Sequence, residues 1–96
     1  MSTHVLDVAA GKPAAGVPVT FGGRTVLTDD NGRISDLSGG EVPPGTHQLV
    51  VAVGRYFGTQ PHLFETVTLE LRLEEARHYH VPLLISPFAC STYRGT

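Results

Sequence analysis

Hydrophobic and polar residues alternate in short segments along most of the chain, as is typical of β-strands with one buried face. The clearest segment is 65–73, where Val67, Leu69, Leu71 and Leu73 alternate with polar residues. Other strand-like segments lie at residues 3–8, 16–21, 24–28, 46–53, 78–85 and 88–95. About seven or eight short strands at this spacing predict a β-sandwich.

Turn residues separate these segments, with 11 glycines and 7 prolines spread along the chain. Gly22-Gly23 predicts a tight two-residue hairpin between segments 16–21 and 24–28. Residues 29–32 read as a further turn and 38–45 as a loop. One short helix is expected within residues 55–62, and it is the only helix that the pattern favours.

Composition narrows the class of protein. A chain of 96 residues predicts one domain spanning residues 1–96. The net charge is −2 and the arginines are scattered, which argues against nucleic acid and anionic membranes as partners. No run reaches the roughly 18 apolar residues of a membrane helix. A strand-like start and Cys90 as the single cysteine suggest no signal peptide, no internal disulfide and a cytoplasmic location.

Two strand faces are neither fully polar nor fully apolar. In segment 78–85 the odd-numbered residues are all apolar and predict a core face, whereas the even-numbered ones mix histidine with Pro82 and Leu84. In segment 3–8, His4 shares its face with Leu6 and Val8. Such mixed faces favour a subunit interface that carries a polar site. The alternative is that both strands are simply buried on both sides.

His4 and His80 are the first candidates for chemistry, because neutral imidazole is the usual general base near pH 7. A structural role is the alternative for each. Arg94, between Tyr93 and Gly95, suits a planar, oxygen-rich ligand. Arg33 follows an Asn-Gly turn, where arginines are usually solvated.

Other readings of these residues compete with a histidine-based site. His78 and His80 could bind zinc with His4 as third ligand, but a hydrogen-bonded structural role for His78 is favoured. Cys90 could be a nucleophile, but a small buried side chain is favoured. Residues 29–32 resemble half a calcium loop, and a plain turn is favoured. The residues alone therefore predict an oligomeric sandwich with a His/Arg-rich site between subunits.

Three stretches of the chain carry a specific pattern: residues 2–18 (STHVLDVAAGKPAAGVPV), 29–33 (DDNGR) and 78–96 (HYHVPLLISPFACSTYRGT). Together they resemble the 5-hydroxyisourate hydrolase family, the transthyretin-like enzymes of urate breakdown. The Tyr-Arg-Gly-hydroxyl ending distinguishes these hydrolases from transthyretin, the hormone carrier of the same fold. The family usually ends in Ser, where this chain has Thr96.

The resemblance implies an all-β, transthyretin-like (prealbumin-like) two-sheet β-sandwich with one short helix. The second hairpin is shortened here, since the family carries a longer one around residues 22–27. The family forms a homotetramer, a dimer of dimers, with its sites at the dimer–dimer interface. A non-catalytic carrier of the transthyretin type is the alternative.

The resemblance also implies the site and the reaction. The catalytic residues are expected to be His4, Arg33 and His80, and the substrate-binding residues Tyr93, Arg94, Gly95 and Thr96. The small-molecule substrate, 5-hydroxyisourate, is opened by water to 2-oxo-4-hydroxy-4-carboxy-5-ureidoimidazoline. One histidine is expected to act as general base, with no metal or cofactor, and Arg33 is the least secure assignment because of the short hairpin.

Overall fold

A computed structural model describes residues 1–95, which form nine strands and one short helix. The elements are β1 (Thr3–Asp7), β2 (Lys12–Pro13), β3 (Pro18–Phe21), β4 (Arg24–Leu27), β5 (Arg33–Ile34), β6 (Gly45–Val51), α1 (Val53–Phe57), β7 (Val67–Leu73), β8 (Leu83–Ser86) and β9 (Ala89–Thr92).

The strands form two sheets that enclose one core. The first sheet has the order β2-β1-β8-β9, with β5 also paired to β1, and the second has the order β4-β3-β6-β7. Only the β1–β8 pair is parallel among the pairs of named strands. Both sheets contribute fully buried side chains, including Val5 and Leu83 from the first and Val19, Leu49 and Val51 from the second. The predicted all-β sandwich is confirmed.

The alternation seen in the sequence matches the burial. Tyr79, Val81, Leu83 and Ile85 are all buried, as predicted for the core face of segment 78–85. In β7 the apolar positions are buried or half-buried and the polar positions are exposed. This strand therefore has one solvent-exposed face, as its sequence indicates.

The hairpin between β3 and β4 is as short as the sequence predicts. The two strands pair from Pro18↔Leu27 to Phe21↔Arg24. Gly22 and Gly23 join them with φ of 59° and 79°. Two successive residues in the left-handed region are what a tight two-residue hairpin requires, and glycine adopts that conformation without strain.

The helix begins earlier than predicted. The segment expected as a strand over 46–53 ends at Val51, and Val53 already opens α1 rather than the helix lying within 55–62. A tertiary contact fixes the start: the Gly54 amide donates to the Glu65 carbonyl at 2.9 Å. A Cβ at Gly54 would lie 2.9 Å from Glu65 Cα, so only glycine allows this approach. No helix within residues 1–95 has the length and apolar character needed to span a bilayer.

The two C-terminal strands are shorter than the segments predicted at 78–85 and 88–95. Regular pairing covers only Leu83–Ser86 and Ala89–Thr92. Residues before β8 join the sheet through isolated bridges of His80 to Ser2 and to Gly95. Pro82 has no amide to extend the ladder. The expectation that Arg94 lies inside a strand is wrong, because β9 ends at Thr92.

Candidate active site

A cavity of about 440 Å³ opens where the start of β1, β5 and the segment before β8 meet. Ser2, Arg33, Ser35, His78 and His80 are among the residues that line it. Two of the three predicted catalytic residues, Arg33 and His80, thus share one cavity although they are far apart in sequence.

The turn before β5 places Arg33. The Asp29 carboxylate accepts hydrogen bonds from the amides of Asn31 and Arg33, both at 2.9 Å. Gly32 has φ of 74° and packs against the Val5 carbonyl, leaving no room for a Cβ. The strand that follows pairs with β1 so that Arg33 lies opposite His4. The sequence Asp-Asp-Asn-Gly is therefore a turn that delivers Arg33 to the sheet edge.

His80 is held by backbone on both sides. The Gly95 amide donates to its carbonyl at 2.7 Å, and Val81 and Tyr79 next to it bond the backbone of Ser2. A Cβ at Gly95 would lie 2.6 Å from Cδ2 of the His80 ring. Glycine is therefore required at position 95 for the backbone there to lie against this imidazole.

Within residues 1–95, only one nitrogen of the His80 ring is engaged in a hydrogen bond. Nδ1 lies 2.8 Å from the Ser2 hydroxyl. Within residues 1–95, Nε2 makes no hydrogen bond, and every fully buried polar side-chain atom of that part has a partner. Residues 1–95 therefore leave Nε2 available to water or to a bound molecule.

The surroundings of His80 favour its neutral form. Burial lowers its pKa below the ordinary value, and the positive charge of Arg33 and interactions with His4 and His78 act in the same direction. A neutral imidazole can accept a proton. His80 thus meets the electrostatic requirement for a general base at neutral pH.

His4 is placed differently. It is half-buried on β1, and its Nε2 donates to the Asn31 carbonyl at 3.0 Å. A carbonyl only accepts, so neutral His4 carries its proton on Nε2 and offers Nδ1 as the acceptor. His4 is not among the residues that line the cavity, although it faces its register partner Arg33.

The C-terminal segment divides between two places. Gly95 contacts His80, whereas Tyr93 and Arg94 line a second cavity of about 440 Å³ between β7 and the chain end. Tyr93 is 57% exposed there. Within one protomer the structure therefore does not bring Tyr93 and Arg94 to His80, and Thr96 lies outside the described residues.

Ser2 is a site residue that the sequence analysis did not single out. Its hydroxyl lies 2.9 Å from His78 Nε2 as well as 2.8 Å from His80 Nδ1. The expected hydrogen-bonded role of His78 is confirmed by this contact. One signal in the sequence could have identified Ser2: it lies two residues before His4, and alternate residues of an extended segment project to the same side.

The groups considered for metal or thiol chemistry are arranged as follows. Within residues 1–95, no three His, Cys, Asp or Glu side chains are grouped to hold a metal ion. Cys90 is half-buried against the core, and burial raises the pKa of its thiol. A raised thiol pKa reduces the thiolate that nucleophilic catalysis needs. The turn at 29–32 uses its Asp29 carboxylate for its own backbone amides.

The site therefore combines an imidazole, whose Nε2 has no partner within residues 1–95, with a guanidinium and hydroxyl groups. Such a set can take a proton from water and stabilise negative charge that develops on a carbonyl oxygen. This is the chemistry of hydrolysis of an ester or amide-like bond.

Comparison with curated proteins finds close relatives over the whole chain. The 5-hydroxyisourate hydrolase of Mesorhizobium japonicum is 42% identical, with 100% of this chain and 91% of the relative covered. The 5-hydroxyisourate hydrolase 2 of Rhizobium meliloti is 38% identical, with 100% and 95% covered. The first alignment spans 113 positions against 96 residues here, so the relative carries residues that this chain lacks.

Solved structures of the same fold include an enzyme and a carrier. The Klebsiella pneumoniae 5-hydroxyisourate hydrolase has a TM-score of 0.89 at 33% identity, covering 99% of this chain and 97% of that one. Sea bream transthyretin in complex with thyroxine has a TM-score of 0.87 at 27% identity, covering 99% and 93%. The sequence model described as HIUase/Transthyretin family matches residues 1–95, and the chain belongs to this family.

Proposed function

We propose that this chain catalyses the hydrolytic ring opening of 5-hydroxyisourate in purine breakdown. The observation that carries the proposal is that His80, whose Nε2 has no hydrogen-bond partner among residues 1–95, lines one cavity together with Arg33. The names of the full-length relatives, at 42% and 38% identity, give the substrate. The product is 2-oxo-4-hydroxy-4-carboxy-5-ureidoimidazoline.

The mechanism assigns His80 as the general base. Nε2 takes a proton from a water molecule, and the water oxygen bonds to the ring carbonyl carbon. The bond from that carbon to the adjacent ring nitrogen then breaks, the nitrogen takes the proton held by Nε2, and the new carboxylic acid releases its proton to the solvent to leave a carboxylate. Arg33 stabilises the negative charge on the carbonyl oxygen. A positioned base contributes about 10²–10⁴-fold and an oxyanion partner about 10²–10³-fold, so neither a metal nor a cofactor is required.

His4 and the chain end complete the proposed site. His4 lies opposite Arg33 in the β1–β5 pairing and offers its Nδ1 to a ligand or water. Gly95 sets the position of the His80 ring. Tyr93, Arg94 and Thr96 are proposed to bind the substrate, and because Tyr93 and Arg94 line the second cavity in one protomer, this role depends on how neighbouring protomers meet.

A homotetramer with sites at the dimer–dimer contact is the proposed assembly. The outer face of the first sheet, defined by His4, Leu6, Val8 and Leu84, supports it. Leu6 and Leu84 are register partners and only half-buried, and Val8 is 55% exposed. Apolar side chains on a face that also carries a catalytic histidine favour cover by a second copy.

The test follows freshly prepared 5-hydroxyisourate by ultraviolet absorbance, with enzyme far below substrate. The wild type is expected to accelerate the decay over many turnovers, and His80→Ala to lower kcat by about 10²-fold or more. His47→Ala, on the other sheet, serves as the histidine control and should retain the rate. A wild type that matches the spontaneous decay contradicts the proposal.

A carrier function is the second candidate, because the sea bream transthyretin structure holds thyroxine. A carrier binds its ligand without accelerating a reaction. Multiple turnovers in the assay above therefore exclude a carrier-only role, whereas stoichiometric thyroxine binding without turnover would support it.

A further inference from the structure

Ser2 occupies a fixed place between two histidines. Its amide donates to the Tyr79 carbonyl at 2.9 Å, and its carbonyl accepts the Val81 amide at 3.0 Å. Ser2 and His80 thus form a parallel bridge pair, and the backbone fixes where the Ser2 hydroxyl lies. From there it contacts His78 Nε2 at 2.9 Å and His80 Nδ1 at 2.8 Å.

We infer that Ser2 is a positioning residue for the hydrolytic reaction, which holds His80 in the tautomer that carries its proton on Nδ1 and leaves Nε2 as the base. This inference rests on the proposed function of His80.

The proton count on Ser2 limits the arrangements. A serine hydroxyl has one proton, and each neutral imidazole has one N–H and one acceptor nitrogen. If Ser2 donates to His78, then His80 Nδ1–H donates to Ser2 and Nε2 of His80 keeps its lone pair. If Ser2 donates to His80 instead, Nε2 carries the proton and cannot act as a base.

The cationic side of the cavity selects the first arrangement. Arg33 lines the same cavity as His80, and its guanidinium only donates. Ser2 occupies Nδ1, so Nε2 is the ring nitrogen left for the cavity, and beside a positive charge a lone pair there is electrostatically preferred to an N–H. His78 is exposed and accepts the Ser2 proton, with its own Nδ1–H free to bond water.

The same contact supports the charged form that His80 reaches during the reaction. Once Nε2 has taken a proton, Nδ1–H belongs to an imidazolium, and its hydrogen bond to Ser2 becomes charge-assisted and stronger. Removal of the hydroxyl therefore affects the chemical step more than substrate binding.

The experiment reads the tautomer directly from ¹⁵N shifts of the imidazole nitrogens, with His80 assigned by the His80→Ala spectrum. Wild type is expected to show a protonated Nδ1 and an unprotonated Nε2 at neutral pH. Ser2→Ala is expected to lose this tautomer preference and to lower kcat about 10-fold with little change in KM. Ser2→Thr, which keeps the hydroxyl, is expected to restore the tautomer preference and kcat. Thr59→Ala, an exposed hydroxyl in the turn after α1, is the control and leaves both unchanged.

Several outcomes overturn the inference. A wild-type spectrum with His80 protonated on Nε2 contradicts the inference without any variant. The test therefore remains decisive even where Ser2→Ala fails to fold. An unchanged tautomer and kcat in folded Ser2→Ala also contradict it. Since the spectrum needs no substrate, a protein without hydrolase activity would overturn the proposed function while the spectrum still decides whether Ser2 sets the tautomer. Arg33, His4 and His78 lie near His80 and lower its pKa, so all three groups contribute to the pH dependence of kcat.

Discussion

At the scale of single residues, the environment of His80 determines what this histidine can do. Burial and the neighbouring charge of Arg33 lower its pKa, and His80 lines a cavity. The base form of a histidine with a lowered pKa persists to a lower pH than that of an ordinary histidine. The rate should therefore fall on the acid side at a lower pH than it would with an ordinary histidine as the base.

Replacing Arg33 tests this electrostatic coupling. Arg33→Gln removes a positive charge that disfavours imidazolium, so the pKa of His80 rises and the acid limb of kcat/KM moves to higher pH. The measurement is the pH–rate profile of both proteins, and the midpoint is independent of the overall loss of rate. Arg55→Gln, an exposed arginine on α1, is the control and should leave the midpoint in place. An unmoved midpoint in Arg33→Gln would show that the two groups are not coupled.

At the scale of elements, a single hydrogen bond ties α1 to β1. The Tyr56 hydroxyl donates to Asp7 Oδ2 at 2.8 Å, and the Ala10 amide donates to Oδ1 at 2.9 Å. Asp7 is only 6% exposed, so its carboxylate depends on these two donors. A helix of five residues has little stability of its own, and this contact with its packing on Glu65 holds it against the sandwich.

Removing the Tyr56 hydroxyl should therefore destabilise the protein. Tyr56→Phe leaves one buried oxygen of Asp7 without a partner, which costs about 1–3 kcal/mol of unfolding free energy. Tyr79→Phe is the comparison variant; it loses a hydroxyl that donates to the Glu75 carbonyl and accepts from the Glu75 amide, both neutral groups of an exposed residue, and should cost about 0.5–1.5 kcal/mol. Denaturant titration at neutral pH compares the free energies of unfolding of the two variants. An equal or smaller loss of stability in Tyr56→Phe would contradict the stabilising role of the Tyr56–Asp7 hydrogen bond.

The same pair predicts a loss of stability in alkali. Burial, the hydrogen bond to Asp7 and its negative charge raise the pKa of Tyr56 from 10.0 to about 12. The folded state then holds the phenol proton more tightly than the unfolded state. The contribution of Tyr56 to the free energy of unfolding is therefore complete below pH 10 and is lost as the pH rises towards about 12. Thermal unfolding across this range should show a smaller decline for Tyr56→Phe than for wild type.

At the scale of the whole molecule, exposed apolar side chains gather near the turn between β8 and β9. Phe88 in this turn and Leu63 are each 64% exposed, and the Leu63 amide donates to the Pro87 carbonyl next to Phe88 at 2.8 Å. The turn lies at one end of the sheet whose outer face carries His4. The proposed tetramer would cover this region. The single domain spanning residues 1–96 stays a prediction.

A charge at Phe88 tests the assembly. Phe88→Asp should shift the protein to a smaller species and lower the turnover, because burying an aspartate at an apolar contact is unfavourable. Sedimentation velocity measures the species, and the hydrolase assay measures turnover. Leu27→Asp, 59% exposed on the other sheet, is the matched control and should leave both unchanged. Full turnover by a purely monomeric wild type would contradict a site shared between protomers.

The sequence by itself determined the longer strands and their core faces, because these depend on local pattern, whereas the two-residue strands β2 and β5 were not predicted. The full set of candidate site residues came from the resemblance to a family. Alternation with period two assigns Tyr79, Val81, Leu83 and Ile85 to the core, and two successive glycines specify the turn after Phe21. Histidines on strand faces that mix polar and apolar residues indicated a polar site.

Only the tertiary structure decided where elements end and which side chains meet. The start of α1 depends on the contact of Gly54 with Glu65, and the end of β9 leaves Arg94 outside the strand. The pairing of Ser2 with His80 joins opposite ends of the chain, and no local signal encodes such a distance. The proton position and pKa of His80 follow from those neighbours, so they are properties of the fold and not of the segment that carries the histidine.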